Sequence, residues 1–432
     1  MKIVHIAAGA GGMLCGSCLR DNALASALIA QGRDALLVPA YAPMRTDEPS
    51  ASAPRVVFGA LNVFLQHWFP PFRWSPEALK RLLDSPRLLR GVSRFSRWTR
   101  PQSLGAMALT VLQGEEGRTA GELKRLARWL AEEVKPQIVI LPNSMLCAMA
   151  REIKRQTGAP VLCMLSGEDA FLEGLPQPFK DRCLEALRRR APDCDGFIAP
   201  SRYCADFMAD YLRMDRRRIH LVPLGINLEG HGPTGPRRRD PFTAAFLARI
   251  HPQKGLRELA EAFILLKRTP EGHQARLRVA GWLDPKERGY LNAVRRRIHQ
   301  AGCAQAFEYV GELDRPQKIA FLREASVLSV PAPYPEPKGL YVIEALANGV
   351  PVALPRSGSF PEMVEGSGGG LLVNPAGGPA ALAEAFVQMI RSPEEADEMG
   401  RRGRNWARSG RGAAQMAEAA YALYERYATT QL

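Results

Sequence analysis

Between residues 327 and 362 the chain reads VLSVPAPYPEPKGLYVIEALANGVPVALPRSGSFPE, and this stretch restricts the fold more than any other. The run 327–331 is apolar and of strand length. Pro333, Pro335 and Pro337 then hold an extended loop, because each proline fixes its own φ and turns the residue before it away from helix. Glu336 stands between two of them, so its carboxylate is expected at the tip of a stiff loop. Gly339 opens a helix that stops at Asn348-Gly349, a pair suited to a helix C-terminus, and 350–355 is the next strand. A loop that leaves a parallel strand and enters a helix is where open α/β sheets bind ligands. The amides around Gly339, Leu340 and Tyr341 suit a phosphate.

The same alternation runs through most of the chain and predicts two parallel sheets. Residues 2–7 form a strand that enters Gly9-Ala-Gly-Gly-Met-Leu-Cys-Gly16, with a helix at 17–30 and a strand at 35–39 behind it. Glycines at a strand end let backbone approach an anion closely. A helix near 121–133 leads to a strand at 138–141, a helix from Met145, a strand at 160–165 and a helix near 178–190. Strands at 196–200 and 219–223 close the first set, and a Gly-, Pro- and Arg-rich linker at 230–240 follows. Strands at 243–248, 277–280, 307–310 and 371–373 belong to the second set. At 432 residues the chain has room for two cores, and 46% hydrophobic with 24% charged residues is the composition of a folded globular protein. No apolar run reaches membrane-spanning length, and the start reads as a strand, not as a secretory leader.

Glu336-x7-Glu344, set in Glu-Pro-x-Gly-Leu and followed by Ala-Leu-Ala-Asn-Gly-Val-Pro-Val, resembles the E-x7-E signature of family-four retaining glycosyltransferases, the glycogen-synthase-like group. A bare E-x7-E means nothing among 44 acidic residues; its setting carries the resemblance. Arg249-x4-Lys254-Gly255 resembles that family's Gly-Arg-Leu-x-x-x-Lys-Gly segment, with Ala248 in place of glycine. The resemblance implies the GT-B fold, two Rossmann-like domains facing across a cleft. Here they are an acceptor domain at 1–228 with a helical insertion at about 42–120, and a donor domain at 229–410. A helix at 411–432 crosses back to the first domain. It implies a metal-independent, retaining transfer with no cofactor, from a nucleotide-diphosphate sugar to a glycan, lipid-linked or small-molecule acceptor. By the same resemblance Glu336 is catalytic, contacting the sugar and the forming cationic ring, and Glu344 binds the nucleotide ribose. Arg249, Lys254, Gly339, Leu340 and Gly311 hold the donor, and Gly12 or Gly16 faces its phosphates. Two cations at a strand end suit a departing diphosphate, which gains negative charge in the transition state.

Other features fit less directly. Where the family often has histidines, this chain has Asn143-Ser144 and Ser166-Gly-Glu168, so Asn143, Ser166 and Glu168 are the expected acceptor-side residues. Ser359 replaces the second glycine of a usual Gly-Gly before Pro361-Glu362. Phe64, Trp68, Phe69, Phe72 and Trp74 precede a run of arginines from Arg81 to Arg100. This block suits either a helical insertion, the favoured reading, or peripheral contact with an anionic membrane at its cytoplasmic face. Cys15-Gly-Ser-Cys18 at a helix start can lower a thiol pKa, but the further ligands that zinc needs are not nearby. The eight cysteines are expected as free thiols in a reducing, cytoplasmic compartment. Asp193-Cys-Asp195 precedes a strand, away from the ligand side, and reads as structure, not as a metal site. A net charge of +14 favours anionic partners, but no aromatic stacking motif or basic recognition helix supports nucleic acid. The rival to a transferase is a sugar-nucleotide-binding protein without transferase activity.

Overall fold

The computed structural model describes residues 1–9, 15–53, 101–233 and 240–429. Gly12 and the aromatic and basic block at 61–100 lie outside the described residues. Two compact units emerge, one of residues 1–224 with 413–432 and one of residues 225–412.

The first unit contains a parallel sheet of six strands: β1 (Lys2–Ala7), β2 (Asp34–Pro39), β3 (Ile138–Leu141), β4 (Val161–Met164), β5 (Gly196–Ala199) and β6 (Ile219–Leu221). Their order is β2-β1-β3-β4-β5-β6. β3, β4 and β5 are buried along their whole length, as expected of strands covered by helices on both faces. One face packs Val139, Leu141, Cys163 and Phe197 under the helices at 120–129, 150–157 and 179–190. On the other face, Ile3, Ile140 and Leu162 meet the helix Ala413–Thr429 through Ala417, Ala420 and Tyr424.

The second unit repeats the plan with β7 (Thr243–Leu247), β8 (Arg276–Ala280), β9 (Phe307–Gly311), β10 (Val327–Leu328), β11 (Val352–Pro355) and β12 (Gly370–Val373). The order is β12-β11-β10-β7-β8-β9, again parallel throughout. From β7 the chain first builds outward through β8 and β9, then returns to the other side of β7 with β10. The strand order therefore reverses between β7 and β10, the position where doubly wound sheets open a crevice at their carboxyl ends. In the first unit the reversal lies between β1 and β3.

Two local expectations needed correction. The strand expected at 327–331 pairs only over Val327–Leu328; beyond the Ser329 amide, which still reaches Ala245 O at 2.9 Å, Pro331 has no N–H to continue the ladder. The helix expected from Met145 begins as a 3-10 turn, Ser144–Met149, and becomes α-helical only at Ala150–Thr157. Among the described residues, no helix is long and apolar enough to cross a membrane.

Candidate functional site

The reversal in the second sheet is flanked by the loop after β7 and the loop after β10. The first carries Arg249 and the short turn Pro252–Lys254, and the second carries Glu336. Gly255 ends the turn with φ +77°, and a Cβ there would stand 2.0 Å from the carbonyl oxygen of Pro331. Only glycine lets the two loops lie this close, and the closeness brings Lys254 to Glu336.

Glu336 is 4% exposed, so the carboxylate expected at a loop tip is in fact enclosed. Its Oε2 pairs with Lys254 Nζ and accepts from the Tyr341 hydroxyl at 3.2 Å, while Oε1 accepts from the Lys338 amide at 3.3 Å. Burial opposes its charge, but the Lys254 ammonium beside it outweighs burial, helped by Lys338, and holds the carboxyl below its ordinary range. Tyr341 responds in the opposite sense: burial first, then the Glu336 charge, push its phenol well up, so it remains a protonated donor. The backbone of Glu336 is gripped as well. Its carbonyl accepts from both the amide and the hydroxyl of Ser359, each at 2.8 Å. Gly358, at φ +61°, makes this approach possible, since a Cβ there would sit 2.5 Å from that same oxygen. The serine that stands where a second glycine is usual thus adds a bond that glycine has no side chain to make.

Glu344 lies in the helix Leu340–Ala347 and pairs with Lys318 Nζ, from the helix Arg315–Arg323. Gly339 precedes that helix at φ +66°; the Val342 amide closes the first turn on Gly339 O at 2.9 Å, and the Leu340 and Tyr341 amides come before the helix ladder begins. Arg249 is exposed, and its guanidinium makes no hydrogen bond or ion pair to the described residues. Gly311 ends β9 at φ +87°, two strands from β7. The structure therefore joins Lys254 to Glu336 directly, places Glu344 with a lysine that sequence reasoning did not single out, and leaves Arg249 open at the mouth of β7.

In the first unit, Asn143, Ser166 and Glu168 do converge, on the loops after β3 and β4. Glu168 accepts from the Ser144 amide at 3.0 Å and the Ser166 amide at 2.9 Å, tying the two loops together. Ser166 Oγ accepts from Arg20 at 2.9 Å and donates to Pro142 O at 3.3 Å. Arg20 also binds Asp21, at 2.7 Å, and both side chains are buried. Asn143 Oδ1 is buried without a hydrogen-bond partner among the described residues. Gly16 begins the helix Gly16–Ala30. The Cys18 thiol is pushed up, not down, by its hydrogen bond with Cys15 and by burial, so the Cys-x-x-Cys pair does not carry a lowered thiol at this position. Asp193 and Asp195 are taken up by Arg151, at 3.0 Å, and Lys154, at 2.7 Å.

Residues 234–406 match the family described as Glycosyl transferases group 1, and residues 104–229 match Glycosyltransferase Family 4. Both units are those of a family-four-like glycosyltransferase. Among curated relatives, the MMP alpha-(1->4)-mannosyltransferase of Mycolicibacterium hassiacum is 27% identical over 204 residues, 47% of each chain. The D-inositol 3-phosphate glycosyltransferase of Pseudarthrobacter chlorophenolicus is 28% identical over 263 residues, 58% of this chain and 61% of the relative. The chain thus spans less than two thirds of either relative's length. Among solved structures, the sucrose-phosphate synthase of Thermosynechococcus elongatus aligns with a TM-score of 0.72 at 17% identity, over 99% of both chains. Anabaena Alr3699/HepE in complex with UDP aligns at 0.67 and 16%, over 99% of this chain and 100% of that one. The fold is GT-B.

Around the expected residues the structure adds side chains whose contacts sequence reasoning did not single out, those of Tyr341, Lys318 and Arg20, and it gives the Ser359 already noted a bond to Glu336. Ser359 carried a signal, as a departure from the usual glycine. Tyr341 carried a weaker one, five positions after Glu336 across a helix start. Lys318 carried none, because Glu344 lies on another helix, and Arg20 carried none, because Ser166 and Pro142 O lie far along the chain even though Asp21 is its neighbour.

Proposed function

We propose that this chain is a retaining, metal-independent glycosyltransferase that moves a sugar from a nucleotide-diphosphate sugar to a glycan, lipid-linked or small-molecule acceptor. One observation carries the reading: an enclosed, ionised Glu336 paired with Lys254 where the strand order reverses, at the carboxyl ends of β7 and β10. In this reading Glu336 stabilises the cationic ring that forms as the sugar leaves, by charge at close range. Lys254 and the open Arg249 receive the departing diphosphate, with Arg able to bridge two oxygens and Lys acting as a point charge. The amides at Gly339 and Leu340 add donors on the same side, and Gly311 lies near the nucleotide. Glu344 holds the ribose, exchanging its bond with Lys318 for the sugar hydroxyls. The second unit is the donor domain and the first the acceptor domain, with Asn143, Ser166 and Glu168 on the acceptor side. Support for the donor class comes from Alr3699/HepE, solved with UDP and with UDP-glucose, and from mannosyltransferase and inositol-phosphate glycosyltransferase relatives.

A thermal-shift screen against UDP-, GDP- and ADP-sugars tests it first, since a ligand that binds the native state raises the melting temperature. The stabilising donor should then be turned over in the presence of a chelator, with the product keeping the donor's anomeric configuration. Binding without any turnover would support the rival, a sugar-nucleotide-binding protein. Inverted product, or activity abolished by the chelator, would overturn the mechanism.

A further inference from the structure

The glycosyltransferase reading leaves one chemically distinctive cluster unused. Cys147, Cys163 and Cys194 are scattered in sequence, yet their sulfurs all lie within 4.8 Å of one another. Cys147 Sγ is 3.7 Å from Cys163 Sγ, and all three side chains are 0% exposed. Among the described residues, no other group of three or more His, Cys, Asp or Glu side chains meets that spacing.

The fold explains the convergence. Cys163 is in the middle of β4, in register with Leu141 of β3 and Phe197 of β5, on the face that those strands bury. Cys194 comes in the turn that feeds β5. Cys147 comes from the 3-10 turn Ser144–Met149, which is fixed to the loop after β4 by the Glu168 carboxylate described above. One strand and the connections before and after it thus each deliver a sulfur to one point.

Three converging sulfurs in an apolar core are the donor set of a soft, closed-shell cation. Structural zinc is almost always four-coordinate, and no fourth ligand joins this group among the described residues. Soft thiolates select Cu(I), which does not need a fourth donor. Binding would exchange the thiol protons for the cation and release them to solvent. The turn that carries Cys194 is held by its backbone: Lys154 donates to Asp193 O at 3.1 Å and Arg218 donates to Cys194 O, on either side of the Cys194 amide. Asp193 and Asp195 are already paired with Arg151 and Lys154.

We propose that Cys147, Cys163 and Cys194 form a three-coordinate thiolate site for a soft monovalent cation of the Cu(I) class. The test uses the full chain, reduced under anaerobic conditions, with Cu(I) delivered from its bicinchoninate complex. One Cu(I) per chain should transfer, with an ultraviolet thiolate-to-copper band and a higher melting temperature. Cys163→Ser removes a ligand and should weaken binding by about 100-fold or more, beyond what losing a group that merely supports a ligand costs. Cys194→Ser, on a turn at the edge of the cluster, gives the same readout if Cys163→Ser fails to fold; far-ultraviolet circular dichroism tells the two cases apart. The double substitution of Cys15 and Cys18 to Ser should leave the stoichiometry unchanged. Failure to take Cu(I) from the competitor would overturn the proposal. So would equal uptake by the folded Cys163→Ser or Cys194→Ser chain, or uptake that requires Cys15 and Cys18. None of these outcomes depends on sugar transfer.

Discussion

Glu336 and Glu168 are nearly equally buried, 4% and 6% exposed, and each sits in a loop at the carboxyl end of a parallel strand. Their partners differ. Glu168 gives one oxygen to the Ser144 amide and the other to the Ser166 amide, which belong to two different loops, and it interacts with the Arg20 charge as well. Glu336 is charge-balanced by Lys254, a side chain that can turn to another anion, and receives a second bond from the Tyr341 hydroxyl. The comparison teaches that burial does not separate an architectural carboxylate from a chemical one. The nature of the donors does. Amides from two loops tie Glu168 into the frame, whereas Glu336, with one loop amide, is balanced by a lysine side chain that a ligand can take over.

Three substitutions sharpen or break this contrast. The largest effect is expected from Lys254→Met, which removes both the counter-ion of Glu336 and a cation for the diphosphate. kcat/KM for the donor should fall by about 10²–10³-fold, the scale of losing one preorganised donor. It should also change the pH profile. In the parent, the Glu336 carboxyl is held low, so the stability from its charge is present above the ordinary carboxylate range and lost only as pH falls through that lowered value. Without Lys254, burial dominates and raises the carboxyl, so the acidic limb of the rate profile should move to higher pH. A limb that stays put would mean that Lys254 does not set the Glu336 charge.

Glu168→Gln comes next, and its effect should be on the fold. The amide offers only one oxygen, so one of the two loop amides is left facing a donor. Urea unfolding should show a loss of about 1–3 kcal/mol, the penalty of an unsatisfied buried group, with kcat close to the parent's and a raised acceptor KM. Unchanged stability would remove the architectural half of the contrast. The smallest effect is expected from Ser359→Ala. The amide bond to the Glu336 carbonyl survives and the hydroxyl bond is lost, so stability should fall by about 1 kcal/mol, with a modest drop in kcat and no change in donor KM. A rise in donor KM at constant kcat would show that Ser359 acts on binding, not on where Glu336 sits.

Much of this molecule was legible in its sequence. Strands such as 138–141 and 243–247 are short apolar runs bounded by turn residues, and local pattern is enough to place them. The loop at 331–338 announced itself through its prolines, and the Glu336–Glu344 spacing through its setting. What local pattern does not carry is strand order. That β10 returns beside β7, and so brings Lys254 onto Glu336 from 82 positions away, follows from the packing of the whole sheet. For the same reason Glu336 reads in sequence as an exposed tip and is enclosed in the structure. Its cover comes from Gly358-Ser359 and Tyr341, whose roles depend on a fold already formed. The cysteines show the same limit from another side: their spacing suggests nothing, because the sulfurs meet only after β4 and the connections before and after it are in place.

The central claim, that Glu336 serves chemistry while the fold merely encloses it, is tested most directly by the turnover of Glu336→Gln with the donor saturating. The substitution keeps the shape and removes the charge nearest the reacting sugar. kcat should fall by about 10²-fold or more, with donor KM close to the parent's, because Arg249 and Lys254 still receive the diphosphate. Full turnover in the folded variant, or a loss confined to donor KM, would contradict the account.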